Sequence, residues 1–276
     1  MIYIKPEYKN LFAEFKSIND FLKIDINVVR DFKNRKTGRF EIEGQGFYIK
    51  KHFGCGLSAV IDELLHIRKP HIGASHERSA LDKLESLGID TMSVVAFGQD
   101  GKSLPSQRSF LVTKELTNVQ SLENICRDWS VNPPSLKFKR AIIEQVASIA
   151  KKLHDNGINH RDFYICHFLL DIAGGAAEYE NCKPKLFLID LHRAQIRPKL
   201  PFRWRVKDIG GLYFSVLDID ITRNDIYYFI RVYTGESLRK TFTRDKHFWE
   251  AVRKRAIKTY RKDFGKSPVL TTGTNG

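Results

Sequence analysis

The chain has 276 residues, 42% hydrophobic and 28% charged, an ordinary globular composition with room for one large domain or two modest lobes sharing a cleft. No apolar run approaches the roughly 20 residues that span a bilayer, and the opening MIYIKPEYKNLFAEF lacks the charged-then-apolar layout of a signal peptide, so a cytoplasmic protein is expected. Forty-six Lys and Arg against 32 Asp and Glu give a net charge of +14, which points to an anionic partner: nucleotide phosphate, acidic lipid headgroup, acidic protein or nucleic acid.

In chain order, residues 28–32, 39–43 and 46–50 read as short strands, with Gly44-Gln45-Gly46 as a turn between the last two. Lys33-Asn34-Arg35-Lys36-Thr37-Gly38-Arg39 reads as a basic turn carrying a single glycine. Helix-like segments follow at 58–66, ended by Lys69-Pro70, and at 74–87, closed by Gly88. Strands are expected at 92–97 and 109–114, then a hinge over 115–119. In residues 136–154, Ile142, Val146, Ile149, Ala150 and Leu153 fall on one helical face, and Asn156-Gly157 stops the helix. Two strand-like runs, 168–171 and 186–190, are joined by the loop 173–184, and the chain is mostly helical from Pro201. The tail 271–276 reads as disordered. The four cysteines, Cys55, Cys126, Cys166 and Cys182, form no C-x-x-C pair and read as reduced thiols rather than a disulfide framework or zinc site.

The chemistry is concentrated at His160-Arg161-Asp162. In the protein-kinase pattern a His-Arg-Asp loop supplies an Asp that accepts the acceptor hydroxyl's proton, and a metal-binding Asn follows five residues later. Here the tripeptide follows a long amphipathic helix and a Gly turn and precedes two short strands, as that pattern requires, but His167 stands at the Asn position. Asp190 ends the apolar run Leu186-Phe187-Leu188-Ile189 where the pattern puts a metal-binding Asp, followed by Leu191-His192 rather than Phe-Gly. Lys50 is the candidate phosphate-pairing lysine, with Glu77 its ion-pair partner; strand alternation allows only one of Lys50 and Lys51 to face a nucleotide, and Lys50 is favoured. Glu115, at the hinge, joins this candidate nucleotide-binding set. His167 reads either as a metal-site neighbour or as a buried polar residue, imidazole being a poor magnesium ligand. The basic turn reads equally as a substitute for a glycine-rich phosphate loop and as a solvated turn.

The pattern implies an α+β, protein-kinase-like fold: a strand-rich N-lobe over residues 1–116 that binds nucleotide, and a helical C-lobe over 117–270 that carries catalysis and acceptor binding. ATP and Mg2+ are the expected cofactors.

Ile158-Asn159-His160-Arg161-Asp162-Phe163-Tyr164-Ile165-Cys166-His167-Phe168-Leu169-Leu170 resembles the catalytic segment of the WaaP (RfaP) family of lipopolysaccharide core heptose kinases. Ile189-Asp190-Leu191-His192-Arg193-Ala194-Gln195 is similar to that family's metal-binding segment, and the likeness runs from about Arg39 to Tyr233. The resemblance implies that His167 and Leu191-His192 are family features and that Asp208 braces the catalytic loop. It also implies transfer of the ATP γ-phosphate to a heptose hydroxyl of the lipid A-core oligosaccharide, at the inner face of a Gram-negative cytoplasmic membrane.

Arg193, Arg197, Arg203 and Arg205 cluster after Asp190 and are candidate acceptor contacts, since Arg grips carboxylate and phosphate bidentately; a solvated loop is the plainer alternative. Residues 248–264 form a basic helix that either rests on an anionic bilayer or packs on the C-lobe. An acidic partner protein remains open, and nucleic acid is not expected. Two other functions stay in view: a kinase for a protein or small-molecule hydroxyl, and a non-catalytic basic binding protein. The absence of an Ala-Pro-Glu segment argues against a protein kinase, and joint retention of Lys50, Asp162 and Asp190 argues against the binding protein.

Overall fold

The computed structural model describes residues 2–32, 34–54, 74–101, 106–174 and 184–269. The expected helix 58–66, most of the loop 173–184, the tail 271–276, Cys55 and Cys182 lie outside them; Cys126 and Cys166 are free thiols. The chain forms two compact units, one of residues 1–86, 91–117 and 191–193, the other of 87–90, 118–190 and 194–276.

The first unit is built on an antiparallel sheet of strands β1 (Ile2–Ile4), β2 (Asn27–Phe32), β3 (Arg35–Ile42), β4 (Gln45–His52), β5 (Val94–Asp100) and β6 (Arg108–Lys114), in the order β1-β5-β6-β4-β3-β2. The expected strands are all present but run longer. The β3–β4 reversal is a two-residue turn at Glu43-Gly44, not Gly44-Gln45-Gly46: Ile42 pairs with Gln45, and both turn residues have positive φ, 49° and 73°. That geometry matches the right-handed twist of the flanking strands. The basic turn also needs correcting. Residues 35–39 lie in β3, laddered to β2 on one side and β4 on the other, although only Gly38 among them is buried. Gly38 sits where a side chain would collide with Ile26 and Asn27.

An aromatic core backs the sheet. Phe12, Phe21, Phe47 and Phe110 are fully buried, and the Phe21 and Phe110 rings stack at 4.0 Å. Such rings contribute beyond their buried area by about 0.5–1.5 kcal/mol per pair. Two helices, α1 (Ile18–Lys23) and α2 (Ser75–Ser86), complete the unit. Helix α1 starts at a capping box, Ser17 with Asp20, which satisfies two of the amides a helix start leaves unpaired.

The second unit is helical, with two small sheets: β7 (Val119–Ser121), β9 (Phe168–Asp171) and β10 (Leu186–Leu188) in one, β8 (Ile158–Asn159) and β11 (Gln195–Ile196) in the other. Its helices are α3 (Leu122–Cys126), α4 (Leu136–Asp155), α5 (Phe202–Phe214), α6 (Arg223–Thr234), α7 (Leu238–Arg244) and α8 (Lys246–Phe264). Helix α4 buries Ile142, Val146, Ile149, Ala150 and Leu153, the face expected from periodicity. Helix α8 packs on α5 and buries Phe248, Val252, Ala256 and Tyr260, so its apolar face is committed to the protein interior and its basic residues are left outside. No helix among the described residues is long and apolar enough to cross a membrane.

Candidate functional site

In the first unit, β4 sorts its two lysines by alternation. Lys51 shares the buried face of Phe47 and Ile49; it is 4% exposed, and its ammonium donates to the Ile24 carbonyl. Burial holds the Lys51 pKa below the usual lysine value. Lys50 points the other way and forms an ion pair with Glu77, which α2 holds buried in its first turn. Glu115 lies elsewhere: it is opposite Gly46, and its carboxylate accepts from Arg39 Nε at 2.8 Å. The structure therefore joins Lys50 to Glu77 and occupies Glu115 with Arg39. His52, also on β4, is held neutral by burial with help from Arg35 and Lys50, its pKa lowered to about 4.

In the second unit the His-Arg-Asp loop follows β8 and is clamped by Asp208 of α5. The fully buried Asp208 carboxylate accepts from the His160 amide at 2.7 Å and from the Arg161 amide at 2.8 Å. These charge-assisted bonds hold Arg161 at φ 76°, a left-handed conformation that L-residues rarely adopt. Behind Asp208, His154 Nε2 lies 3.5 Å from Oδ2, while His154 Nδ1 and the Tyr233 hydroxyl are 2.7 Å apart. Asp208 was legible only through resemblance; Tyr233 carries no local signal.

His160 links the loop to the Asp190 segment. Its Nε2 donates to the Ile189 carbonyl at 2.9 Å, and complete burial lowers its pKa, so the ring is neutral. Asp190, next in the chain, is the second candidate residue at positive φ, 62°. Strain of this kind costs roughly 1–3 kcal/mol and persists only where the surroundings over-determine it. His167 Nδ1 donates to the Asp162 carbonyl at 2.7 Å, which turns Nε2 toward Asp190 Oδ2 at 3.6 Å. Asp162, His167 and Asp190 are thus bound into one local assembly, with His160 stacked on His167 at 5.7 Å.

Asp190 suits a hard cation as an oxygen donor, whereas His167 fits as the group that orients it. Among the described residues no three His, Cys, Asp or Glu side chains converge on one point.

The arginine group divides. Arg193 belongs to the first unit, in a short 3-10 turn spanning Leu191–Arg193. Arg197 donates to Asn159 and Gln195, and Arg205 donates to the Tyr233 hydroxyl at 3.3 Å and lies over the Phe248 ring. Burial and the charge of Arg203 hold the Arg197 pKa below the ordinary guanidinium value. Arg203 is exposed.

Comparison with known proteins agrees with this geometry. The profile of the lipopolysaccharide kinase (Kdo/WaaP) family matches residues 19–233. The lipopolysaccharide core heptose(I) kinase WaaP of Escherichia coli strain K12 is 45% identical over 84% of this chain and 84% of its own length. The protein of that name from Pseudomonas aeruginosa is 40% identical over 85% of this chain and 87% of its own. A solved structure described as WaaP in complex with acyl carrier protein superposes with a TM-score of 0.80 at 35% identity, covering 94% of this chain and 99% of that one. The strand-rich and helical units, the clamped His-Arg-Asp loop and these likenesses together place the chain in the lipopolysaccharide kinase (Kdo/WaaP) family.

Proposed function

We infer that the protein is an ATP-dependent kinase that phosphorylates a heptose of the lipopolysaccharide inner core. The observation that carries the reading is the Asp208 clamp on the His160 and Arg161 amides, the two residues just before Asp162, on a chain 45% identical to a heptose(I) kinase.

Phosphoryl transfer asks the protein for positioning and charge neutralisation rather than covalent chemistry. Lys50 takes the α- and β-phosphates of ATP, its ammonium aimed by Glu77. Asp162 orients the heptose hydroxyl and accepts its proton. Asp190 would hold Mg2+, which when bound neutralises the phosphate oxygens. His167 keeps the Asp190 carboxylate in place through Nε2, its other nitrogen being anchored on Asp162's own carbonyl. His160, neutral and bonded to Ile189, ties the two carboxylate segments together.

The acceptor is lipid-linked, so work at the inner face of the cytoplasmic membrane follows, with the exposed basic residues of α8 toward the anionic surface. A carrier protein is the second partner that the charge of +14 suits, since the solved relative is described as bound to an acyl carrier protein. The helical unit holds a cavity of about 320 Å³ lined mainly by apolar side chains such as Leu122, Trp129, Ile142, Ile209 and Leu212, which would suit an acyl chain.

The deciding experiment incubates purified protein with ATP, Mg2+ and dephosphorylated core oligosaccharide, followed by mass spectrometry of the sugar. One added phosphate on a heptose is expected. Phosphate on another sugar, or ATP turnover with no sugar product, would overturn the assignment.

A further inference from the structure

Four side chains of the helical unit close a relay behind the catalytic loop. Tyr233, on the last turn of α6, has its hydroxyl 2.7 Å from Nδ1 of His154, on the last turn of α4. Arg205 of α5 donates from Nε to the same hydroxyl at 3.3 Å. His154 Nε2 faces Asp208 Oδ2 at 3.5 Å, and Asp208 lies on α5 three residues after Arg205. The relay thus begins and ends on one helix and ties three together. Tyr233, His154 and Asp208 are all buried, and the Phe229 and Trp249 rings pack on Tyr233 with centroids 5.9 Å away, which fixes the plane of the phenol.

Donor and acceptor chemistry gives the relay a direction. A guanidinium can only donate, so the phenol oxygen accepts from Arg205. Burial pushes the Tyr233 pKa up to about 12 against the pull of Arg205, so the phenol keeps its hydrogen. That hydrogen meets the lone pair of His154 Nδ1. With Nδ1 occupied as an acceptor, the proton of the neutral imidazole sits on Nε2, toward the Asp208 carboxylate. The opposite tautomer fails twice. It leaves the buried phenol hydrogen with no acceptor among the described residues, and it sets the Nε2 lone pair against a carboxylate. A doubly protonated ring shares the first fault. Nε2 makes no close hydrogen bond, so its N–H acts on Asp208 as a dipole across 3.5 Å.

What that dipole steadies is the loop clamp. Asp208 Oδ2 accepts from the His160 amide at 2.7 Å and Oδ1 from the Arg161 amide at 2.8 Å. A small turn of the carboxylate about its Cβ–Cγ bond would weaken both bonds together, and a donor behind Oδ2 opposes that turn.

We propose that Tyr233 is a positioning residue for phosphoryl transfer. Its hydroxyl, oriented by Arg205, selects the Nε2–H tautomer of His154, which holds the Asp208 carboxylate square to the two amides just ahead of Asp162. The proposal rests on the heptose-kinase reading for the reaction it serves.

The test uses the full chain, uniformly labelled with 15N, and the variants Y233F, H154Q and H154Q/Y233F. Long-range 1H–15N spectra of the wild type, with His154 assigned by its absence from H154Q, should show Nε2 protonated and Nδ1 bare. That spectrum decides the tautomer whatever the stability of Y233F. In Y233F the tautomer should no longer be held, and the His160 and Arg161 amide protons should move upfield as their bonds to Asp208 lengthen. Its kcat should fall about tenfold, less than the roughly 10²-fold of a full ångström misplacement. The KM values for ATP and acceptor should stay nearly unchanged, as for an interaction that counts in the transition state. In H154Q a glutamine amide can present its NH2 to Asp208 and has no tautomer to select, so adding Y233F should lower kcat no further.

A bare Nε2 or a doubly protonated ring in the wild type overturns the relay. So does a Y233F variant with a lower melting temperature and an intact kcat, the signature of packing alone. An equal loss of kcat on adding Y233F to H154Q also overturns it, because the tyrosine would then act by another route. The expected spectra from a wild-type protein that phosphorylates no sugar keep the relay and remove the heptose-kinase reading. Transfer by the wild type, with kcat and spectra unmoved in Y233F, does the reverse.

Discussion

Asp208→Asn tests the clamp on the catalytic loop. The wild-type carboxylate accepts two amide hydrogen bonds, at 2.7 and 2.8 Å, in a fully buried position. An asparagine of the same shape offers one oxygen, so one loop amide keeps an acceptor and the other meets an NH2 donor. The change loses one charge-assisted bond and leaves a buried N–H unsatisfied; a bond to a charged group contributes about 1.5–3 kcal/mol, and an orphaned buried donor costs a further 1–3 kcal/mol. A loss of roughly 2.5–6 kcal/mol follows from that arithmetic, against a total stability of roughly 5–15 kcal/mol. Much of it should fall on the loop itself, because these bonds hold Arg161 at its unfavourable φ of 76°. Misplacing Asp162 by an ångström should lower kcat by about 10²-fold. The assays are urea unfolding, read as a shift in midpoint at constant slope, and steady-state transfer with separate KM values. Asp208→Asn with wild-type midpoint and kcat would refute the clamp. So would a stability loss with turnover intact, since the loop would then be positioned by something else.

Asp162→Asn should keep its fold and nucleotide affinity while turnover falls by about 10²–10⁴-fold, the usual contribution of a general base; saturating kinetics with ATP and acceptor check it. Lys50→Ala should weaken nucleotide binding, whereas Lys51→Ala should lower the melting temperature with little change in nucleotide affinity, because Lys51 serves the Ile24 carbonyl from inside the unit; titration with ATP and thermal unfolding distinguish the two. Lys139 lies 2.8 Å from Asp225 and also donates to the Asp220 carbonyl at 2.6 Å. Burial pushes the Asp225 pKa up, but hydrogen bonds from Lys139 and Thr222 outweigh it and hold it low. Lys139→Met should therefore strand a buried charge and cost about 3–5 kcal/mol, read by denaturant unfolding. Stability should also fall as the medium is acidified from pH 6.5 toward 4. His52 and His160 have folded pKa values below the unfolded one, so the unfolded chain takes up protons first. The His52 shift alone corresponds to roughly 3 kcal/mol once pH has passed its folded pKa, and His52→Gln should flatten the profile measured by urea unfolding.

The setting of the His-Arg-Asp segment was legible because it is written locally. His160-Arg161-Asp162 follows a helix whose buried face is set by a 3.6-residue period, and that helix stops at a Gly with φ 72°. The two-residue alternation of β4 likewise separated Lys50 from Lys51 without any tertiary knowledge. The short elements escaped. β1 has three residues, too few to carry a period, and α1 announces itself only through Ser17 and Asp20 at capping-box spacing. Residues 35–39 looked like a turn because they carry no alternation of apolar residues; their extended state is set by backbone ladders to β2 and β4, which a local pattern does not record. Tyr233 gave no local signal, since it matters through His154, a partner distant in sequence that only the folded chain brings to it.

Helix α4 ends at Asn156-Gly157, and this bears on chemical ageing. An asparagine before glycine is prone to lose its side-chain ammonia when the next backbone nitrogen attacks the amide carbon, forming a cyclic imide that reopens largely as isoaspartate. Here the Asn156 side chain is tied to the Lys152 carbonyl at 2.8 Å, and the Gly157 nitrogen donates to the His154 carbonyl at 3.1 Å. The attack therefore waits on fraying of the last helical turn, a local opening with its own free energy. An isoaspartate would lengthen the backbone by one methylene immediately ahead of β8, whose ladder with β11 begins at Ile158 and Ile196. Stored protein should consequently lose catalytic competence at the pace of this helix end rather than of the whole fold, and ligands that quiet the helical unit should extend its working life.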